Sequence, residues 1–318
     1  MTTAPFFFFV HNRNHVRMLA PVATLLQAQN YTVTFVDVEI WHFREGAVPE
    51  LQRHGLSSVS IEELAKWPPE RGVFVMAVDW APDLLVQFLD RFARNAIRLV
   101  GVPDGCRFAS PIRYTKVDYV LGWGPSIRDY FKQRGIVVGS PIIEAARSRQ
   151  VRYCVPPLVA VNYKFTHSYI AAAAFWTASV IRACEKAGLP YAFSAHPSNR
   201  IRAPGAIPNE DIDRLLDKAS VLVTRPSTVA YEAMVRGTPV VLFPMPGEGL
   251  VEFGNPMGAF EVTSDADALP NLILNALRTR DDTKARCKKF LEYHVELGPP
   301  GQAIARIASA LTTIAAEV

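Results

Sequence analysis

Paired cysteines are missing from this 318-residue chain: its four lie at positions 106, 154, 184 and 287, and no two form a C-x-x-C. That scatter excludes a disulfide framework and a zinc-finger-like site, and it fits a reducing cytoplasm. Charge of one sign is also scarce. Thirty-four Lys and Arg against thirty Asp and Glu leave a net +4, too little to neutralise a phosphate backbone, so a nucleic-acid binder is not expected. No apolar run approaches the ~20 residues that span a bilayer. The segment Pro5–Val10 is apolar, but no basic residue precedes it and the polar His11–His15 follows at once; it reads as a buried first strand and not as an export signal. Repeats of 20 to 50 residues are lacking, which argues against solenoids and propellers. Gly247-Glu248-Gly249 lacks the G-x-G-x-x-G spacing, so a dinucleotide-binding dehydrogenase is rejected.

What is present is apolar surface in ordered portions. Hydrophobic residues make up 49% of the chain, enough for globular folding, and the length exceeds one comfortable core. Aromatic and β-branched runs occur at 6–10, 32–36, 73–78, 97–100, 119–121, 158–161, 191–194, 221–223 and 240–243, and several are apolar throughout, as strands covered on both faces would be. Helical spacing lies between them, as at Leu19, Val22, Ala23 and Leu26, then over 169–186, and over Ile304, Ile307, Ala308, Leu311 and Ile314. The succession predicts α/β architecture: two Rossmann-like doubly wound parallel-sheet domains facing a cleft. The pattern breaks around 140–156, so the expected domains are 1–150 and 151–318, with the last helix able to cross back to the first.

The densest chemical signal is Leu215–Pro244. A buried strand ends at Thr224, Pro226-Ser227-Thr228 turns the chain, and a helix runs to Gly237. Ser227 or Thr228 is the expected N-cap, and a helix N-terminus beside two hydroxyls suits a nucleotide phosphate. Glu232, one turn deeper on the same side, is placed to accept hydrogen bonds from a ribose diol; the competing role is an i,i+4 pair with Arg236. Upstream, His196 precedes Pro197 at a strand end and can donate to a phosphoryl leaving group, with Arg200 adding charge. Asn162, Lys164, Thr166 and Ser168 form a polar strand-to-helix loop suited to phosphate or sugar, with a plain solvated loop as the alternative. Gly247 and Glu248 follow the 240–243 strand, where glycine permits close approach to a donor sugar. No metal is expected: Asp211-Ile212-Asp213 has a suitable spacing but sits at a helix start, where acids are common.

In the first half, the loop after strand 6–10 holds the cleft-facing position of a doubly wound domain, and Arg13 and His15 are its better candidates for a functional contact. Asp79, after the third strand, is a further acceptor contact. Pro103-Asp104-Gly105 follows strand 97–100. If the reaction inverts an anomeric centre, one group must remove the acceptor hydroxyl proton. Asp104 ranks first for that role, His15 second and Asp79 third. Asp-Gly is also a common turn pair.

The segment Ala219–Pro244 resembles the hallmark segment of GT-B glycosyltransferases. The likeness extends to Tyr191–Arg200, with its His196-Pro197, as in bacterial capsule and lipooligosaccharide glycosyltransferases, sialyltransferases and glycerophosphotransferases, and to Val117–Phe131. Asp104 partly resembles the sialyltransferase general base, although Pro103 stands where that motif has an acid. The resemblance implies a cofactor-free, metal-independent transferase of polysaccharide biosynthesis. It would move a sugar from a nucleotide-sugar donor, held by the C-terminal domain, to a glycan, lipid-linked or small-molecule acceptor presented by the N-terminal one. The alternatives are a nucleotide-sugar 2-epimerase, whose Gly-Gly turn is here replaced by Ser227-Thr228, and a non-catalytic nucleotide-sugar-binding protein. Arg128, Lys132, Arg134, Arg147, Arg149 and Arg152 gather near the domain joint and are compatible with peripheral contact to anionic lipid.

Overall fold

The computed structural model describes residues 4–38, 46–80, 83–91, 96–106, 113–164, 171–195, 207–208 and 212–318. Two compact units divide the chain: residues 1–144 with 294–318, and residues 145–293. The division lies within the 140–156 stretch where the sequence pattern breaks, and the final segment, including the last helix expected to be able to cross back, groups with the first unit.

In that unit the elements are β1 (Phe6–Val10), α1 (Arg13–Ala28), β2 (Val33–Asp37), α2 (Ala47–Arg53), β3 (Ser58–Ser60), α3 (Ile61–Lys66) and β4 (Gly72–Met76). They continue with α4 (Asp83–Arg91), β5 (Ile97–Gly101), β6 (Tyr119–Gly122), α5 (Ile127–Phe131), β7 (Gly135–Val137) and α6 (Pro141–Arg147), within which the division falls. The seven strands are parallel in the order β3-β2-β1-β4-β5-β6-β7.

Strand β1 shows why its sequence has no polar alternation. Phe6, Phe8 and Val10 enter a core with Leu19, Val22 and Leu26 of α1, whereas Phe7 and Phe9 enter another with Ile61, Leu64, Leu85 and Phe88 from α3 and α4. A parallel strand covered on both faces has no solvent side to mark with polar residues.

The chain's last helix completes the first of these cores. It is α12 (Gln302–Ala315), whose Ile307, Ala308, Leu311 and Ile314 pack with α1. Gly301 offers no side-chain cap to α12; Glu144 supplies one instead, its Oε1 accepting from the Ala303 amide at 2.9 Å, where the helix dipole favours an anion. The returning chain also docks at the end of β6, with the Glu296 amide donating to the Trp123 carbonyl at 2.7 Å. Gly124 makes this approach possible: an added Cβ would stand 2.4 Å from the His294 carbonyl carbon. Because backbone is what it would strike, Gly124→Ala should cost about 2 kcal/mol, or roughly 5 °C in Tm. Thermal unfolding measures this, and an unchanged midpoint would contradict the packing described.

The second unit holds β8 (Val159–Tyr163), α7 (Ala173–Lys186), β9 (Tyr191–Ala195), β10 (Ile207–Pro208), α8 (Ile212–Leu216), β11 (Val221–Thr224) and α9 (Thr228–Arg236). It ends with β12 (Val240–Leu242), β13 (Glu261–Val262), α10 (Leu269–Arg278) and α11 (Thr283–His294). Its parallel sheet runs β10-β9-β8-β11-β12-β13. Val159, Val161 and Val223 pack beneath Trp176 and Val180 of α7 and Ile273 of α10. Trp176 Nε1 donates to the Phe243 carbonyl at 2.7 Å, which fixes α7 to the end of β12.

Candidate functional site

In each sheet the first strand is flanked by strands on opposite sides, so each has a switch point: between β1 and β4 in the first unit, between β8 and β11 in the second. Loops leaving the strands' carboxyl ends there open the crevice where α/β sheets bind ligands.

In the second unit, β11 leads into the N-terminus of α9. Ser227 is its N-cap, with extended backbone and an Oγ that accepts from the Val229 amide at 3.4 Å, and Gly237 ends the helix in the left-handed region at φ 88°. A cap bond this long is weak and leaves the first-turn amides receptive to an anion. Ser227 and Thr228 are half-buried, so solvent reaches them.

Glu232 lies one turn on, its side chain 13% exposed. The proposed pair with Arg236 is stretched to 4.0 Å, because Arg236 is held elsewhere: it donates to Asp213 Oδ1, to the Asp213 carbonyl at 3.1 Å and to Asp217 Oδ1 at 2.9 Å. Asp217 also takes both Arg149 donors. With its nearest cation neutralised by aspartates, Glu232 is raised to about 7, chiefly by burial and then by the Asp213 charge, against the lowering pull of Arg236 and Arg149. It is therefore a carboxyl group near the midpoint of its titration at neutral pH, beside a helix N-terminus.

Two expected donor contacts have other partners. Glu248 is engaged within the unit: its side chain is 2% exposed, its carboxylate takes Arg225 Nε at 3.0 Å and Nη2 at 2.8 Å, and Oε2 also accepts from the Met245 amide. A buried carboxylate takes a cation and a donor in preference to none. Asn162, 4% exposed, donates from Nδ2 to the Ser194 carbonyl at 3.2 Å and so joins β8 to β9. Lys164 and Gly247 are exposed at the mouths of their loops. Thr166, Ser168, His196 and Arg200 lie outside the described residues.

In the first unit the two leading base candidates meet. His15 Nε2 stands 3.0 Å from Asp104 Oδ2, with the imidazole 1% and the carboxylate 28% exposed. Asn12 builds one half, since its Oδ1 caps α1 by accepting from the Asn14 and His15 amides at 2.8 and 3.0 Å. Trp123 holds the other, donating from Nε1 to the Pro103 carbonyl at 3.1 Å. His11 stacks edge-on against His15, centroids 4.0 Å apart, and Arg13 is half-buried at the helix start. Asp79 has backbone partners. It is 1% exposed, and its two oxygens accept from the Tyr114 and Lys116 amides at 2.6 and 2.8 Å, so both oxygens are spent fastening that loop.

The basic cluster near the joint is partly consumed within each unit: Arg134 donates to the Val117 carbonyl at 2.9 Å and Arg149 is paired with Asp217. Among the described residues no helix is long and apolar enough to cross a membrane.

Sequence reading gave no role to Asn12, Trp123 or Arg225. Asn12 had a usable signal, an Asn just before a helical pattern; the other two act through partners distant in the chain, which leave no local mark.

The sequence matches no family model, and no significant relative is found among curated proteins. Solved structures do match. One is a protein from Listeria monocytogenes ascribed to the UDP-N-acetylglucosamine 2-epimerases, with a TM-score of 0.70, 14% identity and coverage of 100% of this chain and 98% of the other. Another is the wall teichoic acid polymerase TagF with CDPG, at 0.63 and 10%, covering 100% and 90%. The spinosyn rhamnosyltransferase SpnG complexed with thymidine diphosphate matches at 0.59 and 13%, covering 98% and 99%. At these identities the likeness shows the fold, which is that of GT-B glycosyltransferases.

Proposed function

We propose that the chain is a glycosyltransferase whose second unit holds a nucleotide-sugar donor and whose first unit supplies the base. One observation carries the reading: at the switch point of the second sheet, a loosely capped helix N-terminus stands one turn from Glu232, a carboxyl group without a strong counter-ion. The first part suits phosphate oxygens and the second suits a ribose diol, the two polar ends of a nucleotide's sugar phosphate. TagF was solved with CDPG and SpnG with thymidine diphosphate, which supports a nucleotide ligand for this fold.

In the reaction, the acceptor hydroxyl oxygen forms a bond to the anomeric carbon while the bond from that carbon to the donor phosphate breaks. The phosphate leaves with the electron pair, and the α9 amides stabilise its charge. The acceptor proton passes to Asp104, the more exposed member of the pair, while buried His15 fixes the carboxylate in place. We place the reaction in the cytoplasm and in polysaccharide biosynthesis, with a glycan, lipid-linked or small-molecule acceptor.

The likeness at a TM-score of 0.70 favours a second reading, a nucleotide-sugar 2-epimerase. A panel of UDP-, GDP-, CDP-, dTDP- and CMP-linked sugars separates the outcomes by thermal shift and product analysis. The transferase reading expects stabilisation by one nucleotide class and no conversion until acceptor is added. Epimerised donor without acceptor would establish the second reading, and no stabilisation by any nucleotide would overturn both.

A further inference from the structure

We propose that Arg225 is a positioning residue, which acts by fastening together three loops of the donor site through one buried guanidinium. The inference rests on the donor reading of the second unit.

Arg225 follows β11 directly and precedes the Ser227 cap by two residues. Its side chain is 6% exposed. One arm, Nη1, donates to the Lys164 carbonyl, the first residue after β8. The other edge, Nε with Nη2, grips Glu248 in the loop after β12 in a bidentate fork. That loop is itself closed: the Glu248 amide donates to the Met245 carbonyl at 2.9 Å, Glu248 Oε2 accepts from the Met245 amide, and Gly247 at φ 75° follows Pro246 in the corner, as a type II turn requires. The carboxyl ends of β8, β11 and β12 are therefore joined at one point.

Stability alone is a poor reason for this arrangement. Desolvating a buried ion pair costs about what the pair regains, and an apolar trio of similar volume would hold the loops together as well. Apolar contacts would let them slide, whereas a planar five-donor fork sets their mutual register. The register matters because Arg225 lies on the short turn that leads from β11 into the α9 N-terminus, where a phosphate must meet amides within hydrogen-bond distance. Lysine carries the same charge but presents one ammonium, so it cannot serve the Lys164 carbonyl and both Glu248 oxygens in the same geometry.

The test compares wild type, Arg225→Lys and Glu248→Gln by calorimetric titration with UDP-, GDP-, CDP-, dTDP- and CMP-linked sugars, alongside Tm and hydrogen exchange at the Met245 and Glu248 amides. Expected is a loss of about tenfold or more in affinity for whichever donor the wild type binds, with faster exchange at both amides in the folded protein. Glu248→Gln, which keeps the shape and one acceptor oxygen, should fall between wild type and Arg225→Lys; it also keeps the test decisive if Arg225→Lys does not fold. A lowered Tm with donor affinity unchanged in the folded variants would overturn the inference and leave Arg225 a structural residue. No binding by wild type would instead overturn the donor reading itself, a distinct result.

Discussion

Replacing Asp104 by Asn is expected to lower sugar transfer by about a hundred- to ten-thousand-fold, the usual range for loss of a positioned base, while donor affinity changes by about twofold at most. The asymmetry follows from where the residue sits. Asp104 belongs to the first unit, at the carboxyl end of β5, whereas the capped helix and Glu232 belong to the second. Asn preserves the turn and leaves an amide oxygen facing the buried imidazole at the same distance; what disappears is the negative oxygen proposed to take the acceptor proton. Replacing His15 by Gln should cost less, because it leaves the carboxylate in place without its support 3.0 Å away. Initial-rate measurements with the identified donor and acceptor, paired with donor titration, decide the matter. Transfer retained in Asp104→Asn, or donor affinity lost with it, would remove Asp104 from the role of base.

The second large effect concerns Glu232 and has two opposite signs in one variant. In the unfolded chain this carboxyl ionises near its ordinary value of 4.5, but in the folded protein it holds its proton to about 7. The unfolded state therefore loses its proton first as pH rises. Stability from this group is fully present below pH 4.5 and is lost through the window from 4.5 to about 7, by about 3 kcal/mol at its end. Glu232→Gln removes the penalty, so it should be more stable than wild type at pH 8 and not at pH 4. Donor binding should move the other way. The ionised carboxylate is the stronger acceptor for a ribose diol, so wild-type affinity should climb between pH 5.5 and 8.5. The variant should be pH-independent and about ten- to a hundredfold weaker at the alkaline end. A nucleotide-sugar is the right probe, because it has no terminal phosphate monoester to titrate in the same window. Equal affinities at pH 8.5 would return Glu232 to a merely structural carboxylate.

The parts of the fold that read clearly from sequence are those whose burial leaves a local trace. Strands β1, β4, β8 and β11 are buried along their whole length and so appear as mainly apolar runs, interrupted in β8 and β11 only by Asn162 and Thr224. Strands β3, β7, β10 and β13, which went unread, are the four sheet edges. Each has two or three residues and pairs on one side only, so no long apolar run is needed to form it. Helix α12 was legible as amphipathic, yet its stripe says only that something covers it; that the cover is α1 follows from three dimensions. The start and stop of α9 were legible because a cap and a left-handed glycine are local chemistry.

The candidate site divides in the same way. Ser227, Glu232, His15 and Asp104 could be nominated from residue type and position, but the His15–Asp104 approach joins loops from β1 and β5. The engagement of Glu248 could not be read locally, because its partner Arg225 lies 23 residues away, and Arg225 reaches 61 residues to Lys164. Asp79 is similar: at a strand end an acid looks available for chemistry, and only its two backbone donors from the 114–116 turn show that it is engaged.

The central claim is that nucleotide binding belongs to the second unit and proton removal to the first. Calorimetric titration of a stabilising nucleotide-sugar into wild type, Glu232→Ala and Asp104→Asn tests it most directly. The account predicts one site per chain in wild type, a loss of most of that affinity in Glu232→Ala, and near wild-type binding in Asp104→Asn. Full affinity in Glu232→Ala together with lost binding in Asp104→Asn would contradict it.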